Sequence, residues 1–275
     1  MKAKIVSKAV MYVVLIVTSV FFVTPFIYTF FNSFKMEKEI YQVPQSFFPK
    51  NFILDNYAQI FTQGSFISYF MNSVIITFWG VLLVVLLSSL AGYAFARLPF
   101  RGREGMLVLL LMTITMPLAI FLIPIYMMEN NLNILNTNLG LILPNVAVVL
   151  PFAIFIMRGA FVSIPKEVEE SAEIDGCGVL QTWWRIMLPI SKNGLVVIVI
   201  HAFYNIWGEF TLAKTLATDQ ASMPLTVGLT LFKGETWAFG TLASVIVLSM
   251  LPPIIIFIIF QKQLVEGITQ GAVKG

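Results

Sequence analysis

A single histidine and a single cysteine occur in these 275 residues, and charged side chains make up only 11 per cent of them. Each scarcity excludes a chemistry. One His and one Cys cannot assemble a metal centre of the usual nitrogen and sulfur donors, and Cys177 has no partner for an internal disulfide. It reads as a small packing residue on the reducing side of a membrane. Glycine is nowhere followed by lysine, so the chain has no Gly-Lys-Ser/Thr phosphate loop with which to hydrolyse a nucleotide. No nucleophile, base and orienting group form a catalytic set, which argues against a membrane enzyme.

What the chain has instead is apolar surface. Hydrophobic residues are 58 per cent of the total and include 25 Phe, far more than a soluble core buries. The solvent is therefore lipid. A hydrocarbon layer about 30 Å thick needs roughly 20 apolar residues per crossing helix. Six stretches qualify, at 9–31, 66–96, 106–128, 139–157, 195–216 and 239–260. The expected fold is an all-α integral membrane protein, one transmembrane domain over 1–275 with six helices. The second stretch is longer than a perpendicular helix needs, which implies tilt or extension. The first follows three lysines as a secretory signal would, but it is too long and lacks a small-residue cleavage site, so a retained helix is expected.

Orientation follows from Lys and Arg, which concentrate in cytoplasmic loops. With the N-terminus inside, the inner side carries Lys2, Lys4, Lys8, Arg97, Arg101, Arg103, Arg158, Lys166, Arg185, Lys192, Lys262 and Lys274. The outer side keeps Lys35, Lys38, Lys50, Lys214 and Lys233. Both termini are expected in the cytoplasm, and the net charge of +3 needs no nucleic-acid partner to explain it. Between the first two helices, 32–65 is an outer segment rich in aromatics, long enough to fold back on the membrane surface. The tight basic loop Arg97 to Arg103 reads as a topology lock, and Glu129 to Thr137, with four Asn and no cation, as an exterior connection. Pro117, Pro124, Pro144, Pro151, Pro252 and Pro253 fall in apolar segments, where each removes a helix hydrogen bond. Together they favour a part that moves.

Against this background the polar island at 164–190 stands out. Five of the fourteen acids, Glu167, Glu169, Glu170, Glu173 and Asp175, lie within nine residues. Pro165 suits the first position of a short helix reaching Asp175, and the early acids complement its positive end. Gly176 and Gly178 supply freedom for a turn. A second short helix, Val179 to Met187, is expected to stop at Pro189 and to present Leu180, Trp183, Trp184, Ile186 and Met187 as apolar surface. Physics alone leaves two readings level: a helix lying on the membrane, and a docking element for a protein. Five acids against Lys166 fit anionic headgroups poorly, which favours the second.

The sequence Glu170-Ser171-Ala172, then three residues, Gly176, nine residues and Ile186-x-Leu188-Pro189 resembles the Glu-Ala-Ala (EAA) loop of ABC-importer permeases. Ser171 replaces the first Ala of that pattern, a small-for-small change. The aromatic run Phe203 to Phe210, with Gly208 where the family has Asn, the segment Ser222 to Leu229 and, within the cytoplasmic tail 261–275, the run Leu264 to Gly275 extend the resemblance to carbohydrate-uptake permeases of the MalG type over nearly the whole chain. The resemblance implies the type I importer permease fold. It also implies a coupling helix that docks on an ATPase, with Glu167, Glu170, Ser171, Ala172, Asp175, Gly176, Ile186, Leu188 and Pro189 in the loop. It further implies a tail, including Gly271, Val273 and Lys274, that reaches between two ATPase subunits. The implied partners are a second, MalF-like permease subunit, two MalK-like ATPases that carry the ATP and Mg, an extracellular or periplasmic solute-binding protein and a carbohydrate substrate. The chain itself would bind no cofactor and no metal and would not be an enzyme.

Polar side chains inside spans are costly, so those of the fifth stretch are candidates for function. His201, Asn205 and Glu209 follow at four-residue spacing and are expected on one helix face. With Tyr204 and Trp207 they form a candidate translocation path suited to a sugar. The alternative is that His201 is a packing residue and that Glu209 caps or orients a helix. Rival functions are an importer permease for another solute, such as a polyamine or phosphonate, and an ion-coupled secondary transporter. The latter predicts acids in several spans, where Glu209 stands nearly alone.

Overall fold

In lipid a backbone N–H or C=O has no water to pair with, so long apolar runs close their hydrogen bonds internally as helices. The computed structural model describes residues 2–63, 65–231 and 239–272, and every regular element among them is helical. In chain order they are α1 (Lys2–Asn32), α2 (Glu37–Ile40), α3 (Asp55–Gln63), α4 (Phe66–Arg97), α5 (Arg103–Met112), α6 (Leu122–Asn131), α7 (Asn138–Val162), α8 (Glu167–Ile174), α9 (Val179–Thr182), α10 (Leu188–Ile190), α11 (Lys192–Trp207), α12 (Thr211–Leu216), α13 (Leu225–Leu231) and α14 (Phe239–Ala272). Single turns at Thr113–Thr115 and Leu118–Phe121 lie between α5 and α6, and a wide π-turn at Trp183–Met187 joins α9 to α10. Among the described residues, four helices are long and apolar enough to cross a membrane, or six when each of two bent pairs counts as one span.

Two of the stretches read from hydropathy are not straight helices. The run 106–128 bends by 99° between Arg103–Thr115 and Leu118–Asn131. Met116 and Pro117 take extended backbone there, and the missing proline N–H ends the first half. The run 195–216 stops as a helix at Trp207; Gly208 ends α11, and α12 is a separate short helix.

The chain divides into two compact units. The first, Met1–Ile67 with Gly228–Leu251, is organised around buried polar contacts. Asn56 donates to the carbonyls of Ser33 and Lys35, and the Glu37 carboxylate accepts the N–H groups of Phe239 and Gly240, closing the start of α14. Lys35 is fully buried yet donates to Asn32 Oδ1 and the Ser46 carbonyl beneath the Tyr28 ring, and burial holds its pKa below the ordinary lysine value. In α1, none of the hydrophobic stretch of Val10–Asn32 is buried within the chain.

The second unit, Ser68–Val227 with Pro252–Gly275, holds the helices that form the site. The core of this unit is α7, which packs on α5, α11 and α12 and begins at a Thr137 cap that accepts from Gly140 N–H. Phe95, Leu107 and Ile154 join α4, α5 and α7 in one buried cluster. At Gly92 the α4 and α7 backbones come so close that an added Cβ would lie 2.6 Å from Met157 Cβ, and glycine is what permits that approach.

Candidate functional site

Two regions carry the candidate residues. The first is the island. Helix α8 starts at Glu167, two residues after the expected Pro165, and puts Glu167, Glu169 and Glu170 in its first turn. It ends in a Schellman cap: Cys177 N–H bonds to the Ala172 carbonyl, Gly176 N–H to that of Glu173, and Gly176 sits at φ +80°. A cap of this type needs a left-handed residue at that position, and glycine adopts it without the Cβ penalty. Space around Gly176 is open, so its conformation and not its size matters there.

Burial sorts the remaining side chains. Glu167, Glu170, Ser171, Glu173, Asp175 and Pro189 are exposed, Ile186 and Leu188 half-buried and Ala172 buried. Ser171 turns its hydroxyl back to the Glu167 carbonyl. Of the five apolar residues expected on the second helix surface, Trp183 and Met187 are buried, because they fall one turn apart on the inner side. Leu180 and Trp184, also one turn apart, face outward and are 70 and 62 per cent exposed; Ile174 joins them at 86 per cent. The result is a turn whose tip carries exposed acids beside exposed Ile174, Leu180 and Trp184. Pro189 does not end the second helix. Leu188 N–H reaches back five residues to the Trp183 carbonyl, and this wide turn lets the helix run on through the proline to Ile190 before an 81° bend into α11.

The second region is the fifth span. His201 and Asn205 share a face of α11, where Asn205 donates to the His201 carbonyl and the imidazole lies 4.4 Å from the Phe152 ring. Both line a groove of about 500 Å³ whose other walls are Thr113, Met116 and Phe121 at the broken third span and Pro151 of α7. The other three expected members are directed elsewhere. Tyr204 donates to the Pro253 carbonyl of α14, and Trp207 stacks on Phe203 and meets Phe70. Glu209 lies past the end of α11, so the four-residue spacing no longer sets its direction; its carboxylate accepts the N–H groups of Leu212 and Ala213 at the start of α12. Thr226 Oγ1 donates to its carbonyl.

Gly271 falls in α14, while Val273 and Lys274 lie outside the described residues. Among the described residues no three His, Cys, Asp or Glu side chains gather as a metal site. Sequence reading missed Arg97, Arg158, Glu104 and Asn136. The Asn136 Oδ1 atom accepts from Thr218 and Asp219 N–H groups and so ties the loop before α7 to the loop after α12. Asn136 adopts a left-handed backbone, φ +59°, a region that Asn tolerates.

Broken apolar spans beside a mostly apolar groove into which Thr113, His201 and Asn205 bring polar groups, with a short amphipathic elbow between the fourth and fifth, mark a multi-pass membrane protein. A family model described as "Binding-protein-dependent transport system inner membrane component" matches residues 84–270, and the chain belongs to that family. Members are non-catalytic membrane subunits that work with a partner permease, an ATPase and a solute-binding protein. Among curated relatives, the chain is 32% identical over 269 residues to the diacetylchitobiose uptake system permease protein NgcG of Streptomyces coelicolor, covering 97% of this chain and 89% of that one. It is 34% identical over 252 residues to the sulfoquinovosyl glycerol transport system permease protein SmoH of Agrobacterium fabrum, covering 91% and 88%. It is 33% identical over 231 residues to the arabinooligosaccharides transport system permease protein AraQ of Halalkalibacterium halodurans, covering 83% and 82%. In fold it is similar to a chain of a bacterial ABC transporter involved in the import of the acidic polysaccharide alginate, with TM-score 0.86, 23% identity and coverage of 95% and 98%.

Proposed function

We infer that this chain is one of two permease subunits around a shared pathway in an ATP-driven importer of a carbohydrate, of the oligosaccharide class. The cargo class is supported by relatives aligned over most of the chain that are named for the transport of diacetylchitobiose, sulfoquinovosyl glycerol and arabinooligosaccharides. The pairing partner is a MalF-like permease, the motors are two MalK-like ATPases, and an external binding protein delivers the sugar. The greater number of Lys and Arg assigned to the inner side supports cytoplasmic termini.

The observation that carries the coupling role is the tip of the island. Exposed Glu170, Ile174 and Asp175 precede the Schellman turn at Gly176, and exposed Leu180 and Trp184 follow it. Apolar side chains ringed by charge, outside the lipid-facing spans, suit a cleft on a soluble partner. ATP-driven closure of the two ATPases would displace this elbow and switch the pathway between inward-facing and outward-facing states. His201 and Asn205 are the residues assigned to the pathway, since both open into the groove at the broken third span, where interrupted helices supply polar groups at membrane depth. The tail containing Gly271, Val273 and Lys274 is assigned to contact between the ATPases on the resemblance alone.

Reconstitution tests the reading. Proteoliposomes containing this chain, its partner permease and the ATPases should take up an oligosaccharide only with ATP and the loaded external receptor. Uptake that persists without the ATPases would overturn it in favour of ion coupling.

A further inference from the structure

The acids of α8 do not all face the same way. Glu167, Glu170 and Glu173 are exposed, whereas Glu169 turns inward to a 3.0 Å ion pair with Arg97 Nε; the two side chains are only 16 and 8 per cent exposed. Tyr93, one turn earlier on α4 and buried, has its hydroxyl within the influence of the same carboxylate. From Nη2 the same guanidinium donates to the carbonyls of Phe161, at 2.8 Å, and Ile164. One side chain at the end of α4 thus fastens the end of α7, the linker after it and α8. A planar guanidinium with donors fixed in a fork suits this; the donors of a lysine turn on a single flexible point charge and are less preorganised.

The contacts continue toward the groove. Arg158, on the last turns of α7, reaches Glu104 at 2.9 Å and the Phe95 carbonyl, which joins α7 to the first turn of α5 and to α4. Helix α5 then leads to the break at Met116 and Pro117, and Met116 lines the groove that holds His201 and Asn205. A buried ion pair is a poor device for stability alone, because desolvation offsets much of its attraction, but it fixes geometry well. The linker at 163–166 between α7 and α8 has no regular structure beyond a turn, so a push on α8 would be dissipated there without a brace.

We propose that Arg97 and Glu169 are positioning residues that brace α8 against α4 and α7, so that displacement of the elbow by the ATPases is delivered to the spans bordering the groove. This rests on reading α8 as part of the ATPase-docking elbow.

The experiment measures sugar imported per ATP hydrolysed by the assembled complex in proteoliposomes with its external receptor. Glu169→Gln, which removes the charge of the pair, and Arg97→Lys, which loses the Nη2 hydrogen bonds to Phe161 and Ile164, should each lower that ratio about tenfold. The ATPases should still co-purify, since neither residue lies on the exposed tip. A purely structural role would reduce complex yield, hydrolysis and uptake in parallel, and an unchanged ratio in both variants overturns the proposal. If either variant fails to fold, Tyr93→Phe removes a single hydroxyl and should lower the ratio about twofold to threefold; no change in that variant also overturns it. Failure of the docking reading is seen separately, as a Glu170→Lys complex that retains its ATPases.

Discussion

The Tyr204 hydroxyl donates a 2.9 Å hydrogen bond to the Pro253 carbonyl. It ties α11 to α14 where Pro252 and Pro253 leave two helix positions without N–H donors. Tyr204→Phe keeps the ring and removes the tie. The expected result is a lower thermal midpoint of the complex, equivalent to about 1 kcal/mol, with the KM for sugar uptake unchanged. A raised KM at unchanged stability would return Tyr204 to the translocation path.

At Gly176 the test is conformational, because nothing crowds the position and its φ is +80°. Gly176→Val places a β-branched residue in a region that costs L-residues roughly 1–2 kcal/mol or more. ATP hydrolysis should then run uncoupled from transport, with membrane insertion intact. Gly176→Asn, whose side chain tolerates the left-handed region, should retain most transport. Equal behaviour of the two variants would rule out the cap as the reason for glycine.

Glu170 is exposed on the tip and has no role in the packing of its own helix. Charge reversal by Glu170→Lys should leave the chain folded and weaken ATPase association, read as loss of co-purification in detergent. Retention of the ATPases at wild-type ratio would refute the contact.

For Glu209 the measurement is stability. Glu209→Ala removes both acceptors that close the start of α12, and loss of such a cap costs about 1–2 kcal/mol. Thermal unfolding should shift accordingly, whereas substrate affinity should move little. A large affinity change at constant stability would mean that this carboxylate meets cargo.

Hydropathy made the helices legible, because lipid forces any apolar run of sufficient length into one form. It could not distinguish prolines. Pro117 sits at a 99° break, while Pro144 and Pro151 stay inside one continuous α7; the difference lies in what surrounds them. The glycine turn of the island was readable because its cap is a local event. The direction of Glu209 was not, since periodicity holds only while a helix lasts and Gly208 ends this one. Nor was the pairing of Arg97 with Glu169, which are far apart in sequence and meet only once α4 and α7 are packed. Among five clustered acids, no pattern marks the single one that turns inward.

The five-residue reach from Leu188 back to Trp183 gives the nine-residue interval between Gly176 and Ile186 the character of a dimension. A π-turn holds one residue more than an α-turn, and each residue rotates a helix by about 100°. Removing one residue from Trp183–Met187 would restore ordinary winding, set the Pro189 ring against the preceding turn and rotate the tip, the acids and Leu180 together, relative to Ile190 and α11. Here the count of residues is itself a determinant of aim. Length changes in the island should therefore be tolerated less well than most single substitutions within it.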